Sequence, residues 1–402
     1  MEWSPQQQHA LAKVRVWLND PSSPQVFRLD GFAGTGKTTL ARDIYNEFNA
    51  VACAFTGKAA SVLASKGLGN ATTIHRLIYV PTGSDKTRVV ELKNELEMLE
   101  RVRTPSKGLL ARMDAVRRSL REAEAQAGRP TFVLAEGSAI QSYQVVIVDE
   151  RSMVGVRMGE DLLSFGVKVL LLGDPGQLDP VGDAGFMVDG KCEFLLTEVH
   201  RQAKDSPIIR LATDVREGRR LSFCDLGAAR VVRWGSVDAK TAREADMVLC
   251  GTNKLRMSIN MRHRQLDGHT SPMPEAGERL VCLRNNHDLG LLNGTLWIAD
   301  EDANTHYEAG DQTVHLRIRP DSGGAVIGIP CDATIFLDET TKPQFSNNNQ
   351  FTFGECLTVH KSQGSQWDEV LLFDDWPRAE NHAKWLYTGI TRAAERLTVV
   401  QR

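Results

Sequence analysis

Residues 26–48 read VFRLDGFAGTGKTTLARDIYNEF, and three patterns succeed one another along them. Val26 to Asp30 alternates like a strand. Gly31, four intervening residues and Gly36-Lys37-Thr38 make a glycine-rich loop, after which Leu40, Ile44 and Phe48 recur at helical spacing. Strand, loop and helix in this order surround a phosphate with backbone N–H groups and the positive end of a helix dipole. Gly34, Thr35, Gly36, Lys37, Thr38 and Thr39 are therefore expected to hold a nucleotide. Lys37 would reach the β- and γ-phosphates, and the Thr38 hydroxyl would ligate magnesium. Taken alone, the loop leaves kinases, transporters and motors open.

Two further stretches narrow the class. In YQVVIVDERSM (143–153) the apolar run Val145 to Val148 delivers Asp149 and Glu150 to a strand end. Asp149 is expected to hold the magnesium ion and Glu150 to orient the attacking water, a pairing that favours hydrolysis over transfer to a small molecule. In LLLGDPGQLDPVG (170–182), a third apolar strand, Val167 to Leu172, ends in a Gly-Asp-Pro-Gly turn that needs no ligand to form. Set beside the other two strands in a parallel sheet, it would bring Gln177 toward the γ-phosphate as a sensor.

Composition bounds the rest. The 402 residues suffice for two or three domains, and 42% hydrophobic with 25% charged residues fits a globular chain. The sequence lacks a run of 18 uncharged apolar residues, and MEWSPQQQHALAKV lacks a signal-peptide core, so a cytoplasmic protein without membrane association is expected. Seven scattered cysteines without a C-x-x-C pair predict reduced thiols and no zinc site. A net charge of −3 confines any nucleic acid to a local groove.

GFAGTGKTT (31–39), AFTGKAASVL (54–63), TTIHRL (72–77), VIVDERSM (146–153), GDPGQLDPVG (173–182), LTEVHRQ (196–202), LTVHKSQGSQWDEVLL (357–372) and LYTGITRAAERLTVV (386–400) resemble, in this order, the successive motifs of superfamily 1 DNA helicases. The wording of the fifth and seventh is most similar to the RecD/Dda-like branch. The resemblance implies an α/β fold of two RecA-like P-loop NTPase domains, with ATP in the cleft between them and single-stranded DNA across their top.

Roles carry over by position. Gln7 in SPQQQHA (4–10) matches a glutamine that reads adenine, while locally the stretch reads as a polar helix cap. Arg201 and Arg392 match arginines that face the γ-phosphate. Phe55, Thr56, Lys58, His75, Thr358, His360 and Lys361 match positions lining a DNA channel, and Gln363 and Gly364 would link it to the nucleotide. From the residues alone, Phe55 serves equally as a core aromatic, and both histidines as structural groups.

The expected organisation is a first RecA-like domain over 1–79 and 143–200, interrupted by a helical insertion at 80–142, and a second over 201–285 and 351–402, interrupted by an SH3-like β-barrel at 286–350. Within the first insertion, 86–128 reads as a helical hairpin with Leu92, Leu96 and Leu99 on one stripe and Leu109, Met113, Val116 and Leu120 on another. That departs from the β-hairpin common in the family, leaving the strand-separating element open. Arg151 and Asp179 are smaller departures; the latter sets a negative charge near the expected DNA path. The resemblance thus implies a monomeric ATP- and Mg2+-dependent helicase moving 5′ to 3′ on single-stranded DNA, opening forked or tailed duplexes and meeting replication or recombination proteins. Rival readings are a 3′ to 5′ motor, an RNA helicase, and a nucleotide-gated DNA-binding subunit.

Overall fold

The phosphate-loop strand lies inside a sheet whose other strands are almost wholly apolar, as a parallel sheet covered on both faces requires. The structure, a computed structural model, describes residues 3–82, 86–100, 108, 112–113, 115–120, 131–179, 185–186, 191–199, 205–286, 289–303, 313–337 and 348–402. β1 (Val26–Gly31), β2 (Ala50–Ala54) and β3 (Thr72–Thr73) are followed by a two-stranded antiparallel ribbon, β4 (Tyr79–Thr82) with β5 (Thr131–Leu134). β6 (Val145–Val148), β7 (Lys168–Gly173) and β8 (Phe194–Leu196) complete a six-stranded parallel sheet of order β3-β2-β6-β7-β1-β8.

Alternation divides its core in two. Ala52, Ile147, Leu170 and Leu172 face one way, against helices Pro5–Asn19 and Lys37–Glu47; Val51, Val146, Val148 and Leu171 face the other, against Ile74, Ile78 and Leu162. The order places β7 between β6 and β1. The three strand ends that carry the acids, Gly173 and the glycine loop therefore adjoin.

Residues between the ribbon strands include helix Lys86–Glu100 and helical residues 112–113 and 115–120. Leu92, Met113 and Val116 are buried there, Leu96, Leu99 and Leu120 partly so, and Arg112 Nη2 reaches Glu95 Oε1 at 3.0 Å across the two stripes. Leu109 lies outside the described residues.

The second sheet contains β9 (Cys224–Asp225), β10 (Ala229–Arg233) and β11 (Met247–Cys250). A separate antiparallel sheet then intervenes: β12 (Arg279–Cys282), β13 (Leu296–Ala299), β14 (Thr313–Pro320), β15 (Ile327–Asp332) and β16 (Phe351–Phe353), in order β15-β14-β13-β12-β16. β12 and β16 pair with each other and contribute Leu280, Cys282, Phe351 and Phe353 to its core. The sheet is thus wider than the 286–350 segment read from turn residues, because its flanking strands carry buried hydrophobics without an Asn-Gly signal. β17 (Cys356–Thr358), β18 (Trp367–Phe373) and β19 (Ala393–Gln401) close the second sheet in order β17-β11-β18-β19-β10-β9, parallel except for β9. Among the described residues no helix is long and apolar enough to cross a membrane.

Candidate active site

The glycine loop takes the shape its sequence demands. Gly34 and Gly36 have φ of 77° and 84°, and helix Lys37–Glu47 starts directly after them. A methyl group on Gly36 would meet Gln7 Nε2 at 2.6 Å. Gln7 is buried: its Nε2 donates to Thr35 O at 3.0 Å, its Oε1 accepts the Ser4 N–H at 3.0 Å, and Ser4 with Gln7 forms a capping box on helix Pro5–Asn19. The cap reading and the approach to the nucleotide loop are therefore both realised in one side chain. Thr35 is fully buried and its hydroxyl donates to Phe32 O at 2.8 Å, while Thr39 is half-buried in the first helical turn.

Ala33, Gly34, Lys37, Thr38, Asp149, Glu150, Asp174 and Gln177 from the first sheet line one cleft with Gly364, Ser365 and Arg392 from the second. Lys37 Nζ donates to Gly31 O and Phe32 O at 2.5 and 3.1 Å, and stands 3.8 Å from Asp174 Oδ2. Asp149 Oδ1 accepts the Glu150 N–H at 2.9 Å. Burial pushes both carboxyls above their ordinary range, opposed by the Lys37 and Arg392 charges. Glu150 is the one non-glycine residue at positive φ, 53°, among the described residues.

Gln177 Oε1 is buried without a hydrogen-bond partner among the described residues, although it lines the cleft. Such an acceptor costs stability unless a ligand or water satisfies it. Arg392 is buried, held by Thr388 O and Ser365 O at 3.1 Å each. Arg201 lies outside the described residues. The hydroxyl of Thr38 and the carboxylate of Asp149 are hard oxygen donors on the same cleft, a set that fits Mg2+.

Phe55, His75, Tyr79, Phe132, Met153, Met158, Arg157, His360 and Gln363 line a second cavity of about 640 Å³. Phe55 is 40% exposed, which removes the core-aromatic alternative. The His75 ring sits edge-on to Phe132 at 4.2 Å and 4.7 Å from Tyr79; His360 lies 5.0 Å from Trp376, and burial lowers its pKa.

Other predicted DNA residues are placed apart from this cavity. Thr56 caps helix Gly57–Ser65 by accepting the Ala59 N–H. Lys58 turns its ammonium over the Trp367 ring at 4.4 Å, and burial lowers its pKa to about 8. Thr358 is buried at the end of β17, whereas Lys361 is exposed. Gln363, expected with the cofactor, lies off the nucleotide cleft: its Nε2 donates to Leu178 O at 3.1 Å, and Gly364 alone of the two lines the cleft. Asp179 is an ion-pair partner of Lys384 at 2.7 Å, so its charge is compensated.

Sequence reasoning left three groups without a role. Asp174 and Tyr387 join the two sheets beside the cleft; a tyrosine inside the apolar run WLYTGI signals a buried hydroxyl in need of partners. Arg151 pairs with Asp30 beneath the acids. The β4–β5 ribbon supplies Tyr79 and Phe132 to the aromatic cavity.

A family model described as an AAA domain matches residues 2–236, and one described as a UvrD-like helicase C-terminal domain matches 353–400. Together with the two parallel sheets and the nucleotide cleft they share, these matches place the chain in the superfamily 1 helicases of RecD/Pif1 type. It is 27% identical over 405 residues to the ATP-dependent RecD2 DNA helicase of Deinococcus radiodurans, covering 92% of this chain and 46% of that protein. The RecBCD enzyme subunit RecD of Mycobacterium tuberculosis is 25% identical over 288 residues, 64% of this chain and 49% of that one. The chain thus spans about half the length of these curated relatives. Among solved structures, Bacteroides Pif1 bound to single-stranded DNA superposes with a TM-score of 0.53 at 17% identity, covering 99% of this chain and 92% of that chain. Pif1 helicase from Candida albicans gives 0.50 at 17% identity, covering 100% and 95%.

Proposed function

We propose that the chain is an ATP-driven DNA helicase that moves 5′ to 3′ on single-stranded DNA and opens forked or tailed duplexes. The observation that carries this reading is the single cleft to which the first sheet brings Lys37, Asp149, Glu150 and Gln177 and the second brings Arg392. A nucleotide held there touches both domains, so hydrolysis changes their relation.

Lys37 neutralises the β- and γ-phosphates, and the loop N–H groups cradle them. Mg2+ held by Thr38 and Asp149 would supply charge neutralisation at the β- and γ-oxygens. Glu150 orients a water for attack and receives its proton, a task suited to a carboxyl whose burial raises its pKa. The unpartnered Gln177 oxygen faces this region, where a hydrogen bond to the water would be made before hydrolysis and lost after it. Arg392 offers a planar charge to the transition state, worth about 10³ or more in rate by analogy with arginine fingers, and Arg201 is proposed to assist it. Gln7, beside the loop, is proposed to meet the adenine.

The aromatic cavity adjoins the cleft through Gln363 and Gly364. Bases stacking on Phe55 gain about 1–3 kcal/mol each, comparable with about 1.4 kcal/mol for a DNA base-pair step. Stacking lowers the barrier to separation, but that contact exists before and after each step. Direction has to come from ATP. The helical insertion and the antiparallel sheet are proposed as the accessory elements that guide the strand, the latter as an SH3-like insert.

The test is unwinding of two otherwise identical duplexes, one with a 5′ tail and one with a 3′ tail, under ATP and Mg2+. Opening of the 5′-tailed duplex alone is expected. Opening of the 3′-tailed one alone would reverse the polarity, and failure on both with DNA-independent ATP turnover would reject the motor. The branch-specific wording of residues 173–182 and 357–372 supports the expected polarity, and the RecD2 likeness supports an ATP-dependent DNA helicase.

A further inference from the structure

Asp30 is the last residue but one of β1, the strand that enters the glycine loop, and Arg151 immediately follows Glu150. Although 121 residues apart, they form a two-point ion pair: Arg151 Nε donates to Asp30 Oδ1 at 2.8 Å and Nη2 to Oδ2 at 2.7 Å. Both residues are buried, at 4% and 6% exposure. Asp30 lies on β1 and Arg151 just beyond the end of β6, and these strands are not neighbours, because β7 runs between them. The side chain of Arg151 crosses β7 at Gly173, the register partner of Asp30. A methyl group on Gly173 would meet Arg151 Nε at 2.4 Å and Asp30 Oδ1 at 2.8 Å. A glycine in the middle strand is what leaves room for the bar.

This bar is attached to the residue after Glu150, whose backbone stands in the left-handed region at φ 53°. Side chains with a Cβ rarely adopt that conformation, and it persists where the surroundings over-determine it. The Glu150 N–H is held by Asp149 Oδ1 at 2.9 Å on one side, its carbonyl accepts the Met153 N–H at 2.9 Å, and the next side chain is clamped to β1. A planar guanidinium bound at two points fixes orientation as well as distance, which an ammonium does not.

We infer that Arg151 is a positioning residue, which with Asp30 forms a tie-bar across Gly173 that fixes Glu150 relative to the phosphate loop. The inference rests on the reading of Glu150 as the group that orients the attacking water. It predicts that the pair governs turnover beyond its part in stability. A displacement of about 1 Å at such a group costs up to about 100-fold in rate.

The test compares the full chain with Arg151→Lys, Arg151→Met and the double variant Asp30→Leu/Arg151→Met. Melting temperature, binding of a fluorescent ATP analogue, and kcat and KM for ATP with saturating single-stranded DNA and Mg2+ are measured on each. Arg151→Met leaves a buried carboxylate unpaired and should melt several degrees lower, whereas the apolar double variant should regain that loss. The expected result is that kcat stays about 10- to 100-fold down in the double variant while analogue affinity changes less than about threefold, and that Arg151→Lys recovers only part of the rate. Gly173→Ala, which displaces the bar without altering either charge, should lower kcat in the same way. A double variant that regains kcat along with its melting temperature would overturn the proposal and make the pair merely structural. A wild-type chain that binds the analogue without hydrolysing ATP would overturn the ATPase reading, and this inference with it.

Discussion

The phenol of Tyr387 donates to Asp174 Oδ2 at 2.9 Å and accepts the Ala33 N–H at 2.8 Å. One hydroxyl from the second domain thereby touches both the phosphate loop and the strand end that precedes Gln177. Its ring packs on Gly176, where a methyl group would lie 2.9 Å away, and beside it Thr388 Oγ1 accepts the Leu178 N–H at 2.9 Å. Burial and the adjoining carboxylate hold the phenol protonated, well above its usual pKa.

Removing that hydroxyl should loosen communication without emptying the core. Tyr387→Phe keeps the ring and loses both bonds; a hydrogen bond to a charged group contributes about 1.5–3 kcal/mol. We expect the stimulation of ATP turnover by single-stranded DNA to fall severalfold, with turnover in the absence of DNA changed much less. Steady-state ATPase with and without a dT oligomer reads the difference.

Glu150→Gln should lower turnover by about 10²- to 10⁴-fold while preserving nucleotide binding. It should also stabilise the protein at neutral pH. Burial raises the folded-state pKa of Glu150 above the unfolded value, so its ionisation opposes folding. That contribution is favourable below the unfolded pKa and is lost as pH rises through the folded one. The melting-temperature advantage of the glutamine variant should therefore grow from acid to neutral pH and vanish toward pH 4, as thermal melts across that range would record. The wild-type kcat should decline on acidification at a pH above the ordinary carboxylate range of about 4.

Phe55→Ala should leave the melting temperature nearly unchanged, since the ring is 40% exposed. Its effect is expected on DNA binding: a lost stack of about 1–3 kcal/mol would correspond to roughly 5- to 150-fold weaker binding. Fluorescence anisotropy of a labelled dT oligomer checks this. An unchanged affinity would remove Phe55 from the channel.

Gly57 begins the helix after Phe55 and faces Leu292, which lies between β12 and β13 of the antiparallel sheet; a methyl group on Gly57 would meet Leu292 Cδ1 at 2.0 Å and Cβ at 3.1 Å. Gly57→Ala should push that sheet away from the first domain and weaken single-strand binding. Leu292→Ala in the same chain should restore it. Anisotropy titrations of the single and double variants test the pairing.

β6 and most of β7 are legible in the sequence because a strand buried on both faces has to be largely apolar, and β1 because its alternation runs straight into the glycine loop. Val145–Val148 carries no polar residue to obscure it. The phosphate loop is legible because its glycines are required by positive φ. The β4–β5 ribbon is not: its strands are four residues each, Val80 and Val133 are exposed, and the whole helical insertion separates them. Arg151 could be noticed as unusual, but its partner could not be identified, since the pairing depends on β7 lying between β6 and β1. Lys58 illustrates the opposite failure. A cation after a strand end reads as a phosphate ligand, yet the second domain covers it with Trp367.

The ribbon has a consequence for how the molecule can vary. Tyr79 pairs with Leu134 and Thr82 with Thr131, so the chain departs from and returns to the first domain at points one strand spacing apart, about 5 Å. Whatever is carried between Thr82 and Thr131 is plugged into a socket whose two contacts are fixed by backbone hydrogen bonds. The first domain beneath need not register its length or its secondary structure.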